Sequence, residues 1–205
     1  MTDRETWNLA VAAVMAEFAR LPSPRRTLVA AAVDAAKSCK EALHSIVAAV
    51  AAAGICADCG GQCCLTGKYH FTVVDLLAYL VDDRELFTPR FDHDACPYLG
   101  RNGCLMAPPY RPFNCVTFNC ERLEILLEPP EKERLARLEQ ELRMIYGRFE
   151  ELTGVRIMGG LLMNGERDLV RKRGLFSVKK DNVDTSCCRE RDEESRKDLA
   201  LSARV

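Results

Sequence analysis

Four thiols fall within nine residues: Cys56, Cys59, Cys63 and Cys64, in the stretch ICADCGGQCCLTG. A second set follows in CPYLGRNGCLMAPPYRPFNCVTFNC, with Cys96, Cys104, Cys115 and Cys120. As spacings, the whole is Cys56-x2-Cys59-x3-Cys63-Cys64, then 31 residues, then Cys96-x7-Cys104-x10-Cys115-x4-Cys120. Eight of the eleven cysteines thus lie in 65 residues. Zinc and iron–sulfur clusters are both held by thiolates, typically about four per site. A two-residue gap lets two sulfurs converge on one ion, and Gly60 and Gly61 allow close backbone approach there. Pro97, directly after Cys96, keeps that chain extended or turned. Lys68, Arg101 and Arg111 could offset the negative charge of ligated sulfur, although solvation at the surface is the default role of any single basic residue.

The other uses of cysteine explain the pattern less well. Cys39 sits on the apolar side of a helical segment and reads as a small buried hydrophobe. A disulfide framework conflicts with a chain that shows no export signal. A Cys-x2-Cys redox dithiol usually opens a helix after a strand, whereas Cys56 and Cys59 follow a long helical segment. Metal binding remains. Eight thiols suit one 4Fe-4S cluster with sulfur to spare, two four-thiolate zinc sites, or a mixture. Adjacent Cys63 and Cys64 point in different directions from an extended backbone and so suit different sites. His70 and His93 lie near these cysteines in sequence and could replace a thiolate or support one from outside.

Over residues 55 to 121 the chain resembles the bacterial CxxCxxxCC cysteine-cluster family, the YkgJ-like zinc- or iron-chelating domain. The likeness rests on CADCGGQCC, then CPYLGRNGC, then RPFNCVTFNC, in that order, with Arg111-Pro112 ahead of Cys115. A helix beginning at Thr72 also falls where the family has one. The chain departs from the family at LMAPPYRP, where a Tyr two residues after the cysteine is commoner. The resemblance implies chelation of zinc or iron with the cluster cysteines as ligands.

With 205 residues, the chain can bury a core without staples. Its 48% apolar and 29% charged composition is that of a globular protein. A net charge of -1 gives no electrostatic footprint for nucleic acid or an anionic membrane. No apolar run reaches the roughly 18 residues needed to span a bilayer. Asp3 and Glu5 precede the apolar LAVAAVMA, where a signal peptide wants positive charge. These features predict a cytoplasmic protein.

The elements around the thiols read as helical. Trp7, Val11, Val14, Met15 and Phe18 recur at three- and four-residue steps, predicting a helix over 3–21. Ser23 as N-cap and Pro24 at the first position begin a second helix, over 24–53, with Val29, Val33, Ala36, Leu43, Val47 and Val50 on one face and Gly54 as terminator. Thr72 and Asp75 form a capping-box pattern, and Phe71 and Leu76 a hydrophobic staple, for a helix over 73–82. Residues 88–120 show no periodicity. CERLEILLE reads as a short helix ending at Pro129-Pro130. Leu135, Leu138, Leu142, Ile145, Phe149 and Leu152 then form the cleanest stripe, closed by Gly154. That stripe predicts packing against the chain's own helices over a dimer seam, because it spans under three heptads. From Ser177 the chain is a charged tail containing Cys187 and Cys188, with no apolar stripe to dock it. No strand pattern is evident.

The expected architecture is mainly α, a helical scaffold around an irregular cysteine-rich metal-binding core. Residues 1–54 form a helical hairpin, 55–121 the cysteine-cluster region, 122–176 helices packing on it, and 177–205 the tail. The expected function is metal binding, with an iron–sulfur cluster or zinc as cofactor and Cys56, Cys59, Cys63, Cys64, Cys96, Cys104, Cys115 and Cys120 as ligands. The alternatives are a cluster-dependent enzyme acting on a protein or small molecule, and a zinc-stabilised interaction module whose helices take a protein partner or a second copy. GLLMNG and IMGG lack the form of a nucleotide-binding glycine loop, and three histidines assemble no Ser-His-Asp set. No catalytic residue is assigned.

Overall fold

The computed structural model describes residues 1–50, 54–55, 58, 67–92, 96–100, 103–153 and 159–163. Cys56, Cys59, Cys63, Cys64, His93, Arg101, the Gly154 cap and the tail with Cys187 and Cys188 lie outside them. The described residues are mainly helical. None of their helices is long and apolar enough to cross a membrane.

Helix α1 spans Asp3–Ala19 and starts with a capping box. The Thr2 hydroxyl accepts from the Glu5 amide at 3.2 Å, and Glu5 accepts from the Thr2 amide at 2.7 Å. Its buried face is Thr6, Trp7, Ala10 and Val14. Met15, predicted on that face, is exposed, and Val11 and Phe18 are only partly covered. So much of this helix is Ala and Val that spacing alone leaves the buried side ambiguous by one position.

Helix α2, Ser23–Ala49, is the axis of the fold, packing against three other helices and the 108–110 turn. Its N-cap is Pro22, not Ser23, and no side chain caps it. Arg26 instead turns back to donate to the Ala19 carbonyl at 2.8 Å, covering the open end of α1. Val29, Val33, Ala36, Cys39, Lys40, Leu43 and Ile46 are buried. Val47 and Val50 are only partly so.

Helix α3, Val73–Val81, begins as predicted, with Thr72 and Asp75 exchanging both hydrogen bonds of a capping box. It ends in a Schellman arrangement. Asp83 takes a left-handed φ of 49°, and the Arg84 amide reaches back to the Tyr79 carbonyl at 2.9 Å. The region expected to be wholly irregular contains a minimal antiparallel pair, β1 (Leu99–Gly100) with β2 (Gly103–Cys104). Two residues per strand are too few to show period-two alternation, which is why no strand was legible. Helix α4, Phe113–Thr117, follows, and then α5, Glu121–Glu124, shorter than the predicted nine-residue helix. Helix α6, Pro129–Thr153, starts at the two prolines expected only to end the helix before them, because proline fits the first turn of a helix. Its stripe packs on α2 within the chain, with Leu135, Leu142, Ile145, Tyr146, Phe149 and Thr153 buried. Leu138 and Leu152 are half-buried.

A buried polar network ties α2, α3 and α6 together. Lys40 Nζ meets Asp75 Oδ1 at 2.8 Å, with both side chains almost fully enclosed. The Tyr146 hydroxyl donates to the same oxygen at 3.0 Å. Asp75 Oδ2 accepts from the Thr72 amide at 2.8 Å and the Thr72 hydroxyl at 2.7 Å. Every lone-pair direction of the carboxylate thus has a donor, which makes a buried charge tolerable. Beside it lies an aromatic nest. Trp7 stands 5.0 Å from Phe71 and 5.8 Å from Tyr98, centroid to centroid, and Phe87 is 5.4 Å from Tyr98.

Candidate metal centre

The described half of the site is built on the turn that leads into α3. Gly67–Tyr69 form a 3-10 turn, and the His70 amide closes it on the Gly67 carbonyl at 3.0 Å. Phe71 then drops into the aromatic nest and Thr72 caps α3. The turn is held from outside as well. The Tyr98 hydroxyl donates to the Lys68 carbonyl at 3.0 Å. Leu161 donates its amide to the Phe71 carbonyl at 2.6 Å, and Thr72 forms an isolated antiparallel bridge with Gly160.

Cys96 reaches this turn from the second half of the constellation. It is buried, and its sulfur lies against Gly67 so closely that a Cβ on Gly67 would come within 2.5 Å of it. Burial pushes its thiol above the ordinary range, the nearby Cys104 adds to that, and a backbone hydrogen bond at Tyr98 opposes both. Cys104 sits on β2 opposite Leu99 and is exposed. Cys115 lies within α4, is exposed, and places its Sγ 3.5 Å from His70 Nδ1. Burial holds the His70 imidazole below its usual range. Cys120 is the half-buried N-cap of α5.

None of the five described cysteines is in a disulfide. Cys39 lies apart, buried on α2, with its thiol donating to the Leu138 carbonyl at 3.2 Å and pushed by burial to about 11. Among the described residues no group of three or more His, Cys, Asp or Glu comes together as a metal shell. The contacts found are Cys96 with Gly67 and Cys115 with His70. Two of the three basic residues expected to offset thiolate charge have other engagements. Lys68 pairs with Asp3 at 3.0 Å and stacks on the Tyr69 ring, and Arg111 donates to the Met106 carbonyl at 3.1 Å. Two glycines that shape the site, Gly67 and Gly160, carried no signal in the sequence, because the close approaches they permit are to residues far along the chain.

Among the described candidate ligands the sulfurs are outside disulfides, and that of Cys96 is seated against bare glycine backbone, both compatible with thiolate ligation. Comparison of the chain with protein-family models, with curated proteins and with solved structures finds no match.

Proposed function

We propose that this chain is a metal-binding protein in which Cys56, Cys59, Cys63, Cys64, Cys96, Cys104, Cys115 and Cys120 supply thiolates to zinc or to an iron–sulfur cluster. The observation that carries the reading is the contact of Cys96 with Gly67. Gly67 follows Cys64 by three residues, and Cys96 opens the second set. Three peptide links reach at most about 11 Å, so little chain separates the first set from the second at this contact. Such closeness has an obvious use if both sets serve shared metal. The chain's own contribution is to hold sulfurs near one another, shield Cys96 from water and give up the thiol protons when metal enters. A reducing, cytoplasmic setting suits thiols kept out of disulfides.

The test is metal and acid-labile sulfide analysis on the full chain purified without oxygen. A brown protein whose visible absorption bleaches with dithionite is the iron–sulfur outcome. Colourless protein with stoichiometric zinc is the zinc outcome. Protein free of zinc, iron and sulfide, which also fails to take up either metal, sinks the reading.

A further inference from the structure

We propose that His70 is itself a ligand, binding through Nδ1 beside Cys115, so that the shell is mixed imidazole and thiolate and takes a divalent metal. The inference rests on the metal-binding reading above and goes beyond it by naming a ligand outside the cysteine set. The argument begins with a distance. Tetrahedral zinc holds sulfur at about 2.3 Å and imidazole nitrogen at about 2.05 Å, which puts two such ligands about 3.6 Å apart. Cys115 Sγ and His70 Nδ1 are 3.5 Å apart. The pair, 45 positions apart in the chain, is therefore spaced as two corners of a zinc tetrahedron would be.

The second part of the argument is how His70 is held. The residue sits between a closed 3-10 turn and the capping box of α3. Tyr98 fixes the Lys68 carbonyl on one side, and Leu161 fixes the Phe71 carbonyl on the other. Gly160 closes on the Tyr69 carbonyl from outside. A surface histidine with no task needs none of this, whereas a ligand gains from being placed before the metal arrives. Cys115 is exposed on its helix and so is reachable by an ion from solvent.

The competing account of the contact is a weak hydrogen bond between thiol and imidazole with no metal role. Titration of cobalt(II) alone into the full chain, stripped of metal and kept reduced, separates the two. Four proteins are compared: the parent, His70→Gln, His70→Cys and Cys115→Ser. The parent is expected to develop d–d bands of tetrahedral cobalt with thiolate charge transfer. His70→Gln should bind more than about 100-fold more weakly, beyond the ~10–100-fold that loss of an outer partner costs. His70→Cys should recover binding and gain charge-transfer intensity for one more thiolate, which a merely structural role for His70 would not produce. Far-ultraviolet circular dichroism checks the fold, and if His70→Gln misfolds the His70→Cys spectrum carries the test. His70→Gln binding as the parent does, while Cys115→Ser loses cobalt, overturns the inference and leaves metal binding intact. Uptake of iron and sulfide with no cobalt site does the same. A parent that takes up no metal of any kind overturns both.

Discussion

Gly160 lies so close to Tyr69 that a Cβ on it would stand 1.9 Å from the Tyr69 carbonyl oxygen. The obstacle is backbone, so no side-chain rotation relieves it. Gly160→Ala must therefore push the 67–70 turn away from the 159–163 segment and shift His70 with it. The expected cost is about 1–3 kcal/mol, the range for overpacking, together with weaker metal binding. Gly147, in α6, has open space where its Cβ would go. Gly147→Ala should stabilise by about 0.5–1 kcal/mol, because glycine is a poor residue in a helix interior. Urea midpoints of the two variants against the parent check both. A Gly160→Ala protein of parental stability and metal content would show that the turn gives way freely.

The Lys40–Asp75 pair carries a second prediction. Lys40→Met leaves Asp75 its bonds from Thr72 and Tyr146 but removes the counter-charge across the 2.8 Å contact. Breaking a buried pair from one side costs about 3–5 kcal/mol. Adding Asp75→Asn should recover part of that loss, since an amide needs no counter-charge. Denaturation midpoints of the single and double variants measure it. A single variant within about 0.5 kcal/mol of the parent would mean that water reaches the carboxylate.

The sequence made some elements legible and hid others for physical reasons. The Thr72–Asp75 capping box and the α6 stripe are local patterns, and both appear where the spacing put them. The start of α6 at Pro129 was missed because proline stops a helix from inside yet suits its first turn. Lys40 gave no hint of burial, because its partner lies 35 residues on and a lysine on a helix reads as solvated. At the site, cysteine type and spacing were plain. The seating of Cys96 on Gly67 and the contact of Cys115 with His70 were not, because each joins residues far apart in the chain. Four of the eight candidate ligands lie outside the described residues, so half of the expected shell stands on sequence alone.

His44 gives the pH dependence. Burial first, and then the positive charge of Arg111, hold its imidazole below the ordinary value of 6.5, with Glu41 opposing. A base with a lowered folded pKa binds fewer protons folded than unfolded. Its stabilising contribution is present above about pH 6.5 and is lost as the pH falls through the folded pKa. Stability should therefore decline on acidification below about pH 6.5, and the decline should be shallower in His44→Gln. Comparing the two proteins cancels the proton competition at the thiols, which is common to both. Parallel stability curves from pH 7.5 to about 5 would assign the acid sensitivity elsewhere.

The cysteines should divide by reactivity. Cys39 is buried and its thiol is pushed to about 11, so it should resist iodoacetamide in the folded protein with or without metal. Cys104 and Cys115 are exposed and should alkylate readily once metal is stripped, and slowly when it is bound. Cys39→Ala should keep full metal content at a cost of about 1 kcal/mol for the lost hydrogen bond and sulfur. Mass-spectrometric mapping of the label distinguishes the sites. Equal labelling of Cys104 and Cys115 in stripped and loaded protein would remove them from the shell.

Two truncations separate the segment that grips the site from the tail beyond it. Leu161 and Leu162 are buried, Leu161 donates to the Phe71 carbonyl at 2.6 Å, and Gly160 bridges Thr72. A chain ending at Thr153 loses all of this. Burial of a leucine side chain is worth about 1.5–3 kcal/mol, so that truncation should cost about 3 kcal/mol or more and weaken metal binding by loosening the His70 turn. A chain ending at Phe176 keeps these contacts and drops only the charged stretch with Cys187 and Cys188. Ordering that stretch to deliver a ligand would cost on the order of 1 kcal/mol per residue fixed, against a core set already rich in sulfur. The Phe176 truncation should therefore match the parent in metal content and melting temperature. Loss of metal in that truncated chain, with the parent retaining it, would show that one of the two tail cysteines closes the shell.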